Sequence, residues 1–421
     1  MKRRSILKMA PGLALLGAPA VWSQAAGEIV IGLHGPMTGP ASWVGLGARD
    51  GTLMAIDEIN AAGGIHGRKI RLISYDDGGK PSESEAVTKK MIEGDQVFAI
   101  LGGGISSTAI PAAETAHKLK VPYVNAPGAS PKVLDVKSRW VFSGATIDVR
   151  DISENEAAFI GDFLKAKRVA GINSVDEFSQ SLSDTVFRLL KERYNIEPVA
   201  RQKFNPGDTD FSSQLLEIRK SNPDLIVLNG LYVEAGRIVR QARELGIRVQ
   251  FKGDTSTMNQ GFLTIAGPAA EGTYNAFTNP YFNGDPSKDM QEFEARYKKM
   301  YPRYPVDRPN YVDTYNYGTM YALAEGLKRM GPNLDRRKLV EALDTLKDFK
   351  ATDYSPKAVN VVQHLTYGQV RAGNRRMTQF KVVGGKFRPV TEFAGVVSKA
   401  ALPTYADLSW VMRRLPARTC P

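Results

Sequence analysis

Cysteine is all but absent: Cys420, one residue from the end of the 421, is the single example. One thiol makes no internal bridge, so disulfides contribute nothing to the stability of this chain. Histidine is nearly as rare. The four, His34, His66, His117 and His364, stand far apart and share no metal-ligand spacing. His66 falls in a surface turn, whereas His34 ends a predicted strand, where ligand contact and a solvated loop position are both open. No nucleophile elbow and no cysteine–histidine pair is visible. The run Gly102-Gly103-Gly104 lacks the spacing of the dinucleotide fingerprint, Pro36 and Pro40 disturb the turn after the first strand, and no Lys-Ser/Thr pair follows to hold a phosphate. These gaps argue against an enzyme, a metal site and a bound cofactor. Lys and Arg outnumber Asp and Glu by 56 to 44, yet they are scattered. The densest runs, Arg336–Lys338 and Arg371–Arg376, are short and carry no interleaved aromatics. Nucleic-acid binding needs a concentrated basic stripe, so no such partner is expected. A weak positive field that draws in anionic ligands is what remains.

What is present begins with an export-type head. Residues 1 to about 26 join a basic start (Lys2, Arg3, Arg4, Lys8), the apolar stretch Met9–Val21 and small residues Ser23 and Ala25 at cleavage spacing. At roughly a dozen residues the apolar stretch is too short to span a bilayer, and no later segment is long enough. The wording KRRSILK resembles a twin-arginine export motif, with an ordinary secretory signal as the alternative. No cysteine follows the apolar stretch, so a lipid-anchored form is not expected. The four basic residues of this head supply a third of the formal net charge of +12.

From Glu28 to about Tyr274, strand-like and helix-like patterns alternate. Ile29–Leu33, Val97–Leu101, Val121–Asn125, Arg168–Ile172, Leu225–Leu228 and Val249–Lys252 are apolar runs of strand length. Between them lie helical patterns such as Val44–Asn60, Leu182–Arg193 and Ala235–Leu245. Such alternation predicts an α/β chain with parallel sheets covered by helices on both faces. About 395 residues after the head suffice for two cored domains, and a boundary is expected near Thr146–Asp151.

The segment Ile59–Asp77, INAAGGIHGRKIRLISYDD, joins a helix end, a two-glycine stop, a tight turn and a strand. Gly63 and Gly64 suit a helix end because glycine enters the left-handed region without steric cost. Gly207–Asn229, GDTDFSSQLLEIRKSNPDLIVLN, reads as an Asp210-capped helix with Phe211, Leu215 and Ile218 toward a sheet, stopped by Pro223 before a buried strand. Both segments resemble the periplasmic solute-binding proteins of the branched-chain amino acid (Leu/Ile/Val-binding) type, and the resemblance runs over roughly residues 28 to 393. It implies the type I periplasmic-binding-protein fold, with two Rossmann-like lobes joined by three crossovers. Residues 27–147 plus 275–355 would form lobe 1, residues 148–274 plus 356–400 lobe 2, and 401–421 an extension. It also implies a monomeric receptor, soluble in the periplasm, that takes an amino acid or related small carboxylate between its lobes. The receptor would deliver that ligand to the permease of an ABC importer; a sensor of the same fold is the alternative. The family's disulfide is absent, since the matching positions read Gly79 and Ile105.

In open parallel sheets the ligand sits beyond the carboxyl ends of the strands. After Leu101 the chain reads GGGISST, and Ser106 and Ser107 open the next helix, whose free N–H groups and positive end favour an anion. The resemblance puts the ligand's carboxylate at Ser106. It puts main-chain contacts at Gly128 and Ala129, a hydroxyl at Ser130, and aromatic cover at Trp43, with Phe178 and Tyr232 opposite. For an ammonium it implies one acid at Asp148 and a second at a position that here reads Thr255, with Asp254 adjacent. The usual arginine and glutamine of the crossing read Ser143 and Asp151. The carboxylate half of the site is therefore expected to be kept and the amine half altered. Two ligand classes stay open: an amino acid held by Asp148 with help from Asp254, or a ligand other than an amino acid, an aromatic carboxylate without an amine stacked on Trp43 or an amide.

Overall fold

The computed structural model describes residues 27–134, 136, 138–144, 149–277, 288–302, 309–346, 349–358, 362–363, 366–367 and 377–390. The export head, Asp148, His364, residues 401–421 and Cys420 lie outside the described residues.

Five strands and three helices come first: β1 (Ile29–Gly35), α1 (Ser42–Ala61), β2 (Ile70–Asp76), α2 (Pro81–Glu93), β3 (Ala99–Gly102), α3 (Ser106–Lys118), β4 (Tyr123–Asn125) and β5 (Val141–Ser143). The second set is α4 (Val149–Ala158), β6 (Val169–Ser174), α5 (Glu177–Tyr194), β7 (Ala200–Phe204), α6 (Ser212–Lys220), β8 (Leu225–Asn229), α7 (Tyr232–Glu244), β9 (Gln250–Gly253), α8 (Gln260–Ala266) and β10 (Tyr274–Phe277). Helices α9 (Lys288–Met300), α10 (Tyr311–Met330) and α11 (Arg336–Asp344) follow. The described chain then adds β11 (Phe349–Lys350), α12 (Ala351–Tyr354), β12 (Val362–Gln363), β13 (Thr366–Tyr367), β14 (Thr378–Val383) and β15 (Lys386–Pro389).

Strand pairing gives a six-stranded sheet, β13-β5-β4-β3-β1-β2, and a seven-stranded sheet, β15-β14-β10-β9-β8-β6-β7. Each forms the centre of a lobe. The pairs β1–β2, β1–β3, β3–β4 and β4–β5 are parallel, as are β6–β7, β6–β8 and β8–β9. The expected division puts 275–355 in the first lobe and 356–400 in the second. In the pairing, β10 belongs to the second sheet, so the chain finishes that strand before leaving, and β13 runs antiparallel to β5 at the edge of the first sheet. The tail alternation resolves into the β14–β15 hairpin, turned by Gly384 and Gly385 at φ 58° and 69°.

Successive side chains on a strand point to opposite faces, and each sheet uses both. In β3, Ala99 and Leu101 join a core with Met54, Ile56 and Ile59 of α1 and Leu323 of α10, while Ile100 joins Met91 of α2 and Ala112 and Ala116 of α3. In β8, Ile226 and Leu228 pack with Ile238 and Val239 of α7, while Leu225 and Val227 pack with Leu182 and Val186 of α5. Helices α1 and α10 touch closely enough that a Cβ on Gly51 would collide with the Asp313 carbonyl. Asp210 donates no cap position of its own. Phe211 holds the N-cap site of α6, and the Asp210 carboxylate accepts from the Ser212 N–H at 2.9 Å.

Candidate functional site

The parallel register aligns strand ends. His34 pairs with Gly102, Gly102 with Asn125 and Asn125 with Ser143 across the first sheet; Asn173 pairs with Asn229 across the second. The loops leaving these ends face each other across a partly open cavity of about 90 Å³. Its wall is mainly apolar, with Val44, Ile105, Ile152, Leu231 and Phe277 among the lining residues.

On the first lobe, Ser106 lines the cavity and is 2% exposed. It is the first residue of α3, behind Ile105 at an N-cap position with no side-chain cap bond, so the helix start is open to an acceptor. Gly128 and Ala129 line the cavity beside it. The Asn125 amide donates to the Gly128 carbonyl at 2.6 Å, and the Ser130 N–H donates to Ser106 Oγ at 3.1 Å, so the two loops are tied together. A Cβ on Gly128 would stand 3.4 Å from Ser106 Cα and 3.0 Å from Asn125 Oδ1, so a side chain here would press on both loops. Ser107, on the next position of α3, is half-buried and not among the lining residues.

Ser130 turns elsewhere. Its hydroxyl donates to Glu177 Oε1 at 3.1 Å, and Lys132 Nζ reaches Glu177 Oε2 at 2.9 Å. Glu177 opens α5 on the opposing lobe, so these bonds cross the cleft. Trp43 does the same with an aromatic face. In the first turn of α1 and 6% exposed, it lies 5.0 Å from the Tyr232 ring of the second lobe and 5.9 Å from Tyr311. Trp43 and Tyr232 are absent from the cavity wall; they pack against each other, and Tyr232 packs on Gly261 behind. Phe178 and Thr255 do line the cavity.

Asp254 is fully buried and faces the protein. Its carboxylate accepts from the Ser256 N–H at 2.7 Å and the Gly230 N–H at 3.1 Å, capping the short 3-10 turn Thr255–Thr257. Burial, and then the nearby Glu156 charge, push its pKa up to about 7, against the Ser256 and Gly230 N–H groups and Lys252. Glu156 and Lys252 are themselves fully buried and paired at 3.2 Å, and burial raises the Glu156 pKa as well. His34 is a core residue, with Nδ1 3.0 Å from Asp77 and Nε2 3.0 Å from the Tyr123 hydroxyl. That corrects the expectation of a ligand or loop histidine, because the end of β1 is roofed by Ser84 and Gly104. A Cβ at Gly79 would lie 3.9 Å from Ile105 Cδ1, so the two positions matched to the family's disulfide do meet in space.

A model of the family described as "Periplasmic binding protein" matches residues 28–386. The chain belongs to that family. Among similar proteins, an "Amino acid binding protein" of Pseudomonas aeruginosa is 28% identical over 375 residues, covering 84% of this chain and 96% of that one. A leucine-, isoleucine-, valine-, threonine- and alanine-binding protein of the same organism is 27% identical and covers 77% and 84%. Two solved structures show the same fold at a TM-score of 0.70. One is a branched-chain amino acid transporter substrate binding protein of Streptococcus pneumoniae in complex with isoleucine, 24% identical, covering 86% of this chain and 98% of that one. The other is a solute binding protein of an ABC transporter from Rhodopseudomonas palustris in complex with 3,4-dihydroxy benzoic acid, 22% identical, covering 86% and 95%. No described helix of this periplasmic binding protein is long and apolar enough to cross a membrane.

Several lining residues escaped the sequence reading: Ser174 at the end of β6, Asp176 just after it, Glu234 in the first turn of α7, Ser256, and Tyr311 and Tyr315 on α10. Asp176 and Glu234 stand within two residues of Phe178 and Tyr232, at the strand ends where ligands sit. Treating every polar residue of those turns as a candidate was the available signal. Nothing local marks Tyr311 and Tyr315, which arrive from a helix far along the chain.

Proposed function

We propose that this chain is the substrate-binding component of an ABC importer, exported to the periplasm and free of a lipid anchor. It captures an amino acid or related small carboxylate between its lobes as a monomer and passes it to a membrane permease without chemistry. The observation that carries this reading is the juxtaposition at the cleft: Ser106 at an uncapped helix start and the Gly128–Ala129 turn come together on the mainly apolar wall of a small-molecule-sized cavity. Free N–H groups at a helix start and a hydroxyl suit a carboxylate, and the apolar wall suits a hydrocarbon side chain. The relatives named for amino acid binding point the same way. A second reading, an aromatic carboxylate, has its own support in the rings of Phe178, Phe277, Tyr311 and Tyr315 on the wall and in the dihydroxybenzoate-bound neighbour of equal fold similarity. Calorimetry of the mature protein against amino acids, short amides and aromatic acids tests the proposal. A dissociation constant near micromolar, about 8 kcal/mol, is expected for at least one carboxylate. Binding confined to compounds without a carboxylate, or none at all, refutes it.

A further inference from the structure

Asp254 is fully buried behind the cavity and ties two of its loops together. Its Oδ1 accepts from the Ser256 N–H at 2.7 Å and its Oδ2 from the Gly230 N–H at 3.1 Å. Thr255 and Ser256 on one side, and Leu231 on the other, line the cavity. The Asn229 amide stands beside the same carboxylate, with Nδ2 3.5 Å from Oδ2, and its own Oδ1 has no hydrogen-bond partner. Turned over, that amide offers Oδ1 as the acceptor for a proton on Asp254, so the pair has a bonded arrangement for either state of the acid. The count of charges favours the proton. Glu156 of α4 and Lys252 of β9 are fully buried and pair with each other at 3.2 Å, so an ionised Asp254 leaves one buried negative charge uncompensated. The ends of β8 and β10 bring the neutral amides of Asn229 and Asn275, α7 brings Glu234 at the cavity wall, and α10 brings Tyr311.

Tyr311 makes this group sensitive to the position of the lobes. Helix α10 packs against α1 on the first lobe. Yet the Tyr311 and Ser256 side chains are hydrogen-bonded, and the Tyr311 ring lies 5.2 Å from that of Phe277 on β10. The first lobe therefore covers the turn that Asp254 caps. Burial is the largest cause of the raised Asp254 pKa, with Glu156 second. Parting the lobes uncovers the turn, returns water to it and lets the acid ionise more readily.

We propose that the Asp254–Asn229 pair couples closure to protonation: closing the lobes over a ligand draws a proton from solvent onto Asp254, whose hydroxyl then donates to Asn229 Oδ1. This rests on the reading of the cleft as one that closes over a small molecule, and adds a proton to what is captured. Because the closed form holds the proton more tightly, affinity is highest at low pH, falls as pH rises towards the closed-form value of about 7, and is level above it.

The test is calorimetry on the full mature chain with leucine, benzoate and the remaining compounds of the binding panel. Titrations run at half-unit steps from pH 5.5 to pH 8.5, in buffers of different ionisation enthalpy, so that protons exchanged on binding are counted. For each compound that binds, uptake of a fraction of a proton at about pH 6 is expected, vanishing above about pH 8, with affinity falling about two- to tenfold from pH 5.5 to pH 7.5. Asp254→Asn is expected to lose the uptake and to level the profile. Should that variant fail to fold, wild-type protein with carbon-13-labelled aspartate supplies a second readout. Binding at pH 6.5 is expected to add a carboxylic acid carbonyl band to the infrared difference spectrum, and the label is expected to shift it. Binding without proton uptake overturns the inference and leaves the functional reading standing. Uptake that persists in Asp254→Asn, or an acid band that the label does not shift, assigns the proton to another group and also overturns it. Failure of every compound of the panel to bind removes the functional reading and this inference with it.

Discussion

Replacing Asp254 by asparagine is expected to change how stability depends on pH, in a direction fixed by the buried setting of that carboxyl. The group is fully buried beside the Glu156–Lys252 pair, and burial lifts its pKa from 3.8 to about 7. A raised folded-state pKa means that between pH ~4 and ~7 the folded protein holds a proton that the unfolded chain has released. The contribution to stability is therefore full below the unfolded value and is lost as pH rises through the folded value. At about 1.36 kcal/mol per pKa unit the whole effect is about 4 kcal/mol, of which about 2.5 kcal/mol falls between pH 5 and pH 8. Asparagine does not titrate, and it has one acceptor oxygen where Asp254 uses both, Oδ1 for the Ser256 N–H and Oδ2 for the Gly230 N–H. Asp254→Asn is thus expected to be the less stable protein at pH 5 by about 1–3 kcal/mol, the cost of one unmet buried N–H, and to recover about 2.5 kcal/mol relative to the wild type by pH 8. Melting curves at half-unit pH steps would read this as a gap that shifts by roughly 5 °C, taking about 2 °C per kcal/mol for a domain of this size. Glu156 moves the wild-type curve in the same sense, so the informative quantity is the difference between the two proteins. Parallel curves from pH 5 to pH 8 would refute the argument, because they would mean that Asp254 stays ionised throughout.

Two further expectations concern the contacts that cross the cleft. Glu177→Ala removes both the Ser130 and the Lys132 bonds to the opposing lobe. With Lys132 largely exposed, the loss is about 0.2–1 kcal/mol, read as an up to about fivefold weaker affinity for the tightest panel compound. An unchanged affinity at both low and high salt would show that these bonds do not favour closure. Trp43→Ala empties the contact between Tyr232 and Tyr311 and is expected to cost about 3–5 kcal/mol in urea unfolding. Trp43→Phe should cost less than half of that, since the indole N–H has no hydrogen-bond partner to lose. Equal costs for the two would contradict the packing role.

The scaffold was legible because each buried strand is a short apolar run flanked by helical patterning, and the runs at Val97–Leu101 and Leu225–Leu228 fall on β3 and β8. The glycine turn at Gly63–Gly64 ends α1, and Gly64 takes φ 73° there. Pairing across long sequence separations was harder to read: the move of β13 to the first sheet depends on an edge that β5 leaves open, which no local pattern reveals. In the site, Ser106, Gly128, Ala129, Phe178 and Thr255, positions singled out by the family resemblance, come to the cavity wall. Trp43, Ser130 and Tyr232 stand one layer away because each finds a partner on the other lobe, and the lobe-to-lobe distance is not written in either segment.

The acids make the reason for that limit concrete. Asp254 and Glu234 have the same charge, both lie next to a strand end, and both are buried. From the sequence Asp254 is the better ammonium partner, being adjacent to the matched position. What separates them is whether the surrounding backbone consumes their lone pairs. The turn after β9 folds back so that the N–H groups of Ser256 and Gly230 converge on Asp254, leaving it a cap. Glu234 stands in the first turn of α7, where its Oε1 accepts from the Gly207 N–H while the residue lines the cavity. The convergence of backbone N–H groups, a three-dimensional property, thus decides which carboxylate is drawn into supporting its own turn and which stands on the cavity wall.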